Sequence, residues 1–213
     1  MEFEYLLRAV ENEPVFETGL LLAGKVDPFN IRKQLSRWTS SGKLTQLRRG
    51  LYCLAPPYRK VVPHQFLVAN RLQGGSYISL QSALARYGLI PEAAPVTTSV
   101  TTGRPGSYTT ALGLFDFRHI QIGWFCGYRR VDLGNDQWTV IASPEKALLD
   151  LVYLEPGGDE AAYLESLRLQ SLDQLDLDLL QKLASAADKP KIHRAVKQIC
   201  RLVELENSGY REL

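Results

Sequence analysis

The stretch from Asp27 to Leu54, DPFNIRKQLSRWTSSGKLTQLRRGLYCL, restricts the fold of this chain more than any other. Asp27 is a strong N-cap, and Pro28 sits at the first helical position, where its missing N–H costs nothing. Ile31, Leu35 and Trp38 recur at i, i+4 and i+7, which is one apolar stripe of a helix. Lys33, Ser36, Arg37 and Ser40 fall on the opposite side, and Arg32 lies on a flank. Phe29 also points outward and breaks the pattern, so it is expected to pack on a neighbouring element or to touch a thymine methyl. Gly42 is placed to end the helix in a left-handed conformation. After Lys43, Leu44 to Leu47 and Leu51 to Leu54 read as two short strands, with Arg48-Arg49-Gly50 as the tip between them.

Upstream, Phe3, Leu6, Leu7 and Val10 have helical spacing, and Glu17 to Ala23 reads as a short second helix before a turn at Gly24 to Val26. Helix, helix, helix, hairpin is the order of a winged helix-turn-helix. In that arrangement a polar, basic helix lies in the major groove while the hairpin tip reaches phosphates or the minor groove. Basic surface helices are common, so a basic helix alone favours a solvated face. The helix together with a double-arginine tip favours DNA.

Charge supports this placement. The net charge is only +2, yet residues 25–60 hold nine Lys and Arg against the single acid Asp27, while residues 1–24 hold five Glu against Arg8. A basic block in a near-neutral chain suits a DNA-reading module, because phosphate contacts carry much of the affinity. The three cysteines, Cys53, Cys126 and Cys200, match no zinc spacing and argue against a full disulfide framework. The acidic start is unlike a secretory signal, and no apolar run is long enough to span a bilayer, so a reducing cytoplasm and no membrane partner are expected.

Ala55-Pro56-Pro57-Tyr58 favours an extended segment and marks the expected boundary between residues 1–58 and a larger C-terminal α/β domain, residues 59–213. There, helices are expected over Pro63 to Leu72, after a cap at Ser79, and after Ser143-Pro144. Strands are expected over Val96 to Thr102, Phe115 to Ile122, Trp124 to Leu133 and Trp138 to Ile141. From Asp159 onward the chain reads as helical, with breaks near Ser171 and Lys189-Pro190. The fold class is α+β: an N-terminal winged helix-turn-helix, then a larger mixed α/β domain ending in helices.

Three ordered blocks carry a resemblance. They are Tyr77 to Glu92 (YISLQSALARYGLIPE), Val96 to Ile120 (VTTSVTTGRPGSYTTALGLFDFRHI) and Ile141 to Leu154 (IASPEKALLDLVYL). Together they resemble the AbiEi family, the antitoxins of bacterial type IV toxin–antitoxin, abortive-infection systems, over roughly residues 15–155. The resemblance implies an N-terminal winged helix, binding to inverted repeats of double-stranded DNA in the chain's own promoter, and repression of the operon. It also implies neutralisation of a nucleotidyltransferase-like toxin without a stable complex between the two. It places DNA contacts at Arg32, Lys33, Ser36, Arg37, Arg48 and Arg49, and the basic reading adds Ser40 and Lys43. The oligomeric state stays open, with pairing of two copies on DNA allowed.

Other motifs are weaker. Gly74-Gly75-Ser76 matches the start of a nucleotidyltransferase, but Asp116-Phe117-Arg118 puts an arginine where a second magnesium-binding carboxylate is needed. Thr102 to Gly106 lacks the Gly-Lys-Ser/Thr ending of a phosphate loop and reads as a turn. His64, His119 and His193 have no paired ligand spacing, so no metal or cofactor is expected. Glu145, Lys146 and Asp150 could join Asp116 in a nuclease, but they are expected to serve the helix dipole and solvate one face. In the last helix Arg194, Lys197 and Arg201 form a basic stripe opposite Ile192, Val196, Ile199 and Val203. The stripe is either solvated, paired with Asp173, Asp176 and Asp178, or a second phosphate contact. A non-enzymatic DNA-binding repressor and antitoxin is the leading reading, and a stand-alone winged-helix regulator with a ligand-sensing C-terminal domain is the alternative.

Overall fold

The helix that opens the basic stretch begins as the sequence dictates. Asp27 Oδ1 accepts from the Phe29 amide at 2.9 Å, and Pro28 stands at the first position of α2, Pro28–Ser40. A computed structural model of the chain describes residues 2–22, 27–92 and 94–209. The expected turn at Gly24 to Val26, the end of the second helix at Ala23, and Lys25 of the basic block lie outside the described residues.

Ahead of α2 stand α1, Phe3–Ala9, and the two-residue strand β1, Phe16–Glu17. The expected second helix is a 3-10 turn, Thr18–Leu22. The hairpin explains the change. Glu17 pairs with Leu51, and the Thr18 amide donates to the Gly50 carbonyl at 2.9 Å, so this backbone is committed to a sheet before a full helical turn forms. Gly42 has φ +71 and ends α2 as expected. β2, Leu44–Arg48, and β3, Leu51–Leu54, follow, giving a three-stranded sheet in the order β1-β3-β2.

After Leu54 the chain turns at once: both Tyr58 and Arg59 amides donate to the Ala55 carbonyl, where the paired prolines suggested extension. The connection is held from both ends. The Tyr58 ring meets Phe3 edge-on at 5.0 Å, and Gln137 accepts from the His64 amide and donates to the Val62 carbonyl.

The remainder is a mixed six-stranded sheet with helices. Its elements are α3, Gln65–Leu72; β4, Ser76–Ile78; α4, Leu80–Arg86; β5, Val96–Thr101; β6, Gly106–Thr110; β7, Gly113–His119; β8, Tyr128–Gly134; and β9, Gln137–Ala142. Then come α5, Pro144–Leu154; α6, Ala161–Ser166; α7, Leu177–Ala187; and α8, Pro190–Gly209. The strand order is β6-β7-β5-β4-β9-β8, with β5–β7 and β4–β9 parallel and the other pairs antiparallel. The fold is α+β. β4 and β6 were not foreseen, because one is a three-residue buried run and the other a Gly-Ser-Tyr-Thr-Thr run that continues from the turn. The strand expected from Trp124 starts only at Tyr128, since Ile122–Trp124 forms a 3-10 turn and Gly127 takes φ +69. Asn135 and Asp136, both with positive φ, close the β8–β9 hairpin, the conformation a tight two-residue connection requires.

Two apolar clusters form the interior. The smaller one is built by Phe3, Leu6, Val10, Phe16, Leu21, Ile31, Leu35, Trp38, Leu44, Tyr52 and Leu54. The larger one contains the sheet and α3 to α8, and it also takes in Val15, Leu47, Leu51 and Cys53 from the first 58 residues. The β2–β3 hairpin therefore contributes to both. No helix among the described residues is long and apolar enough to cross a membrane.

Candidate nucleic-acid interface

α2 spans 13 residues, about 20 Å. Ile31, Leu35 and Trp38 bury its inner face in the smaller cluster, each stabilising by about 1.5–3 kcal/mol. Trp38 also meets Phe3 edge-to-face at 5.3 Å. With that face fixed, the 100° step of the helix leaves no choice for the rest. Arg32, Lys33, Ser36, Arg37 and Ser40 are all exposed. Phe29 is 70% exposed on the same outer face and so does not pack on a neighbouring element. Lys43, just beyond the helix, is half-buried, its ammonium 4.5 Å from the centre of the Phe3 ring.

The two arginines of the hairpin tip differ. Arg49 is exposed. Arg48 is half-buried, with Nη1 donating to the Arg49 carbonyl, Nη2 donating to the Arg71 carbonyl on α3, and Glu17 Oε1 3.6 Å from Nη2. Of the basic stripe on α8, Lys197 and Arg201 are exposed. Arg194 pairs with Asp159 at 2.6 Å, not with Asp173, Asp176 or Asp178, and this partner draws the Asp159 carboxyl below its ordinary range against the opposing effect of burial. The structure thus leaves Arg32, Lys33, Ser36, Arg37 and Ser40 exposed on α2 and Arg49 exposed at the hairpin tip, while the α8 stripe belongs to a separate element.

The charged residues of α5 overturn the expectation of a solvated face. Glu145 is 3% exposed, and Lys146 and Asp150 are fully buried. Lys146 Nζ pairs with Asp150 Oδ1 and donates to the Tyr77 hydroxyl at 2.9 Å. Asp150 Oδ2 accepts from Tyr77 at 2.9 Å and from Ser79 at 2.7 Å. Ser79 therefore serves Asp150 and does not cap α4 as expected, and Leu80 beside it adopts φ +57, a left-handed conformation that costs a leucine about 1–2 kcal/mol. Trp124 covers the ammonium at 4.1 Å, and Tyr128 stacks on Tyr77. Burial pushes the Asp150 carboxyl up, the Lys146 ammonium down and the Tyr77 hydroxyl up, each toward its neutral form. Sequence reasoning missed this network. The available signal was Ala147, Leu148, Leu149, Leu151 and Val152 around Asp150, a helix apolar on every side.

The nuclease set is not brought together. Glu145 Oε1 accepts from the Asp176 amide at 2.9 Å, Lys146 is held by Asp150, and Asp116 stands on β7, three strands from β9, accepting from Ser107. His64 caps α3 through Nδ1 at 3.1 Å, and His119 Nδ1 lies 3.0 Å from the Gly103 carbonyl. No group of three or more His, Cys, Asp or Glu side chains able to hold a metal occurs among the described residues.

No protein-family model and no curated protein matches the chain. Among solved structures, the crystal structure of the RV2827C protein from Mycobacterium tuberculosis is similar, with a TM-score of 0.54 and 15% identity. The match covers 92% of this chain and 76% of that one, and at this identity it speaks to the fold alone.

Proposed function

We propose that the chain is a non-enzymatic, sequence-specific DNA-binding repressor of its own operon, and that it acts as the antitoxin of a type IV toxin–antitoxin system against a nucleotidyltransferase-like toxin. Residues 1–58 form a winged helix-turn-helix, and residues 59–213 form the antitoxin domain. α2 enters the major groove of double-stranded DNA. Arg32 and Arg37 take backbone phosphates on either side, and Lys33, Ser36 and Ser40 face base edges with Phe29 available to a thymine methyl. Arg49 takes a phosphate beyond the groove. Inverted repeats in the promoter would seat two copies, paired on the DNA.

The observation that supports this reading is the outer face of α2, five polar or basic side chains exposed together while the opposite face is locked in the core. The resemblance of the three sequence blocks to AbiEi antitoxins supplies the operon and the toxin. Gel shift on the chain's own promoter, with Arg32→Ala and Arg37→Ala combined, tests the first part. The double variant should bind more weakly, and its slope of log affinity against log salt should fall by about two. Co-expression with the neighbouring toxin tests the second: rescue of growth is expected, and continued arrest would remove the antitoxin role.

A further inference from the structure

Arg48 and Arg49 are neighbours in sequence, yet they meet different surroundings. The register of β2 on β3 slips between Gln46, opposite Tyr52, and Arg48, opposite Leu51. A slip of this kind re-aims the side chain that follows it. Arg48 turns onto the body of the protein. Its Nη2 donates at 3.2 Å to the carbonyl of Arg71, in the last turn of α3, where carbonyls have no partner within the helix and the helix dipole is negative. Its Nη1 returns at 3.1 Å to the carbonyl of Arg49, and Glu17 flanks the same guanidinium. Nε is buried with no hydrogen-bond partner among the described residues, an unfavourable setting that a free phosphate-seeking side chain would leave. A cleft of about 320 Å³ lies beside it, lined by Glu17, Leu67, Asn70, Arg71 and Trp138.

We infer that Arg48 is a positioning residue: it fixes the orientation of the hairpin, and through it of α2, on the C-terminal region, and it makes no phosphate contact. The inference rests on the reading of α2 and the hairpin as a duplex-binding surface. Val15, Leu47, Leu51 and Cys53 already hold the hairpin against the larger cluster, but apolar contact has no preferred direction. One guanidinium bond crosses to the Arg71 carbonyl on α3 while the other returns to the hairpin's own tip at Arg49, and bonds of this type are directional. A lysine carries the same charge but lacks the planar fork that reaches both.

Gel shift of the full chain on its own promoter duplex across a salt series separates the roles. Arg48→Ala and Arg48→Lys should each bind about tenfold more weakly, with the salt slope of the unaltered protein. Arg49→Ala should lower the slope by about one. The inference is overturned if Arg48→Ala lowers the slope as Arg49→Ala does, if Arg48→Lys binds like the unaltered protein, or if Arg48→Ala binds at full strength. Thermal melts check folding, and Arg48→Lys, which keeps stem and charge, carries the test if Arg48→Ala fails to fold. Failure of the unaltered protein to shift the duplex is a different outcome. It removes the duplex-binding reading, and the positioning role goes with it.

Discussion

α2 and α5 start alike and end in opposite environments. Each opens on a capping side chain followed by proline, Asp27-Pro28 and Ser143-Pro144, and each carries charged residues at helical spacing. α2 turns Arg32, Lys33 and Arg37 to solvent, whereas α5 takes Glu145, Lys146 and Asp150 into the interior. Partners decide the difference. Lys146 and Asp150 stand four residues apart, so they pair on one face, and Tyr77 and Ser79 complete their hydrogen bonds. The cations of α2 have no acid within the helix after Asp27, and Asp27 is occupied with the amide of Phe29 and the side chain of Asn30. A charge left without an internal partner belongs at the surface, where it is available to something else.

The contrast breaks most readily at Asp150. Asp150→Ala leaves an ammonium buried alone and should cost about 3–5 kcal/mol in urea unfolding, while Lys146→Met with Asp150→Leu recovers only part of that loss, because the buried Tyr77 and Ser79 hydroxyls lose their acceptor. A cost under about 1 kcal/mol would place α5's charges in the same class as exposed ones. Next in size, Leu35→Ala on the buried side of α2 should cost about 2–5 kcal/mol. Arg37→Ala, two residues on, should move stability by no more than about 0.5 kcal/mol while weakening duplex binding. Equal stability losses at both positions would mean that α2 has no free face.

The smallest effect sharpens the comparison at a third cap. His64 caps α3 with its unprotonated Nδ1, and burial, helped by the positive Arg86, holds its pKa below the ordinary value. The unfolded chain therefore takes the proton first as pH falls. Stability should drop as pH passes below about 6.5 and level off once the folded state is protonated too. His64→Asn keeps a side-chain acceptor at the cap, so melting temperatures measured from pH 7.5 to 5 should lose that step. An unchanged step would assign it to another group.

Periodicity carries most of what the sequence tells. The apolar stripe of α2, the hairpin after Gly42 and the start of α5 at Ser143-Pro144 are all local patterns, and local patterns are what a sequence displays. The exposed face of α2 follows from them, because burying Ile31, Leu35 and Trp38 leaves one orientation. What escaped depends on contacts distant in sequence. β4 exists because Ser76 to Ile78 pair with Ser99 to Thr101. The second helix is lost because residue 18 bonds to residue 50. Ser79 sits where a cap belongs, but a carboxylate 71 residues away takes its hydroxyl. Arg48 and Arg49 are identical letters, and the slipped register after Gln46 together with the end of β2 at Arg48 separates them.

The hairpin that lends Leu47, Leu51 and Cys53 to the larger cluster is a wall common to two rooms. Cutting the chain after residue 58 would strip one side of that wall and leave its apolar groups wet, so the excised fragment should clump more readily than the whole protein. The same dependence would hinder evolution from grafting these first 58 residues onto an unrelated body, since any new host would have to supply a matching hollow.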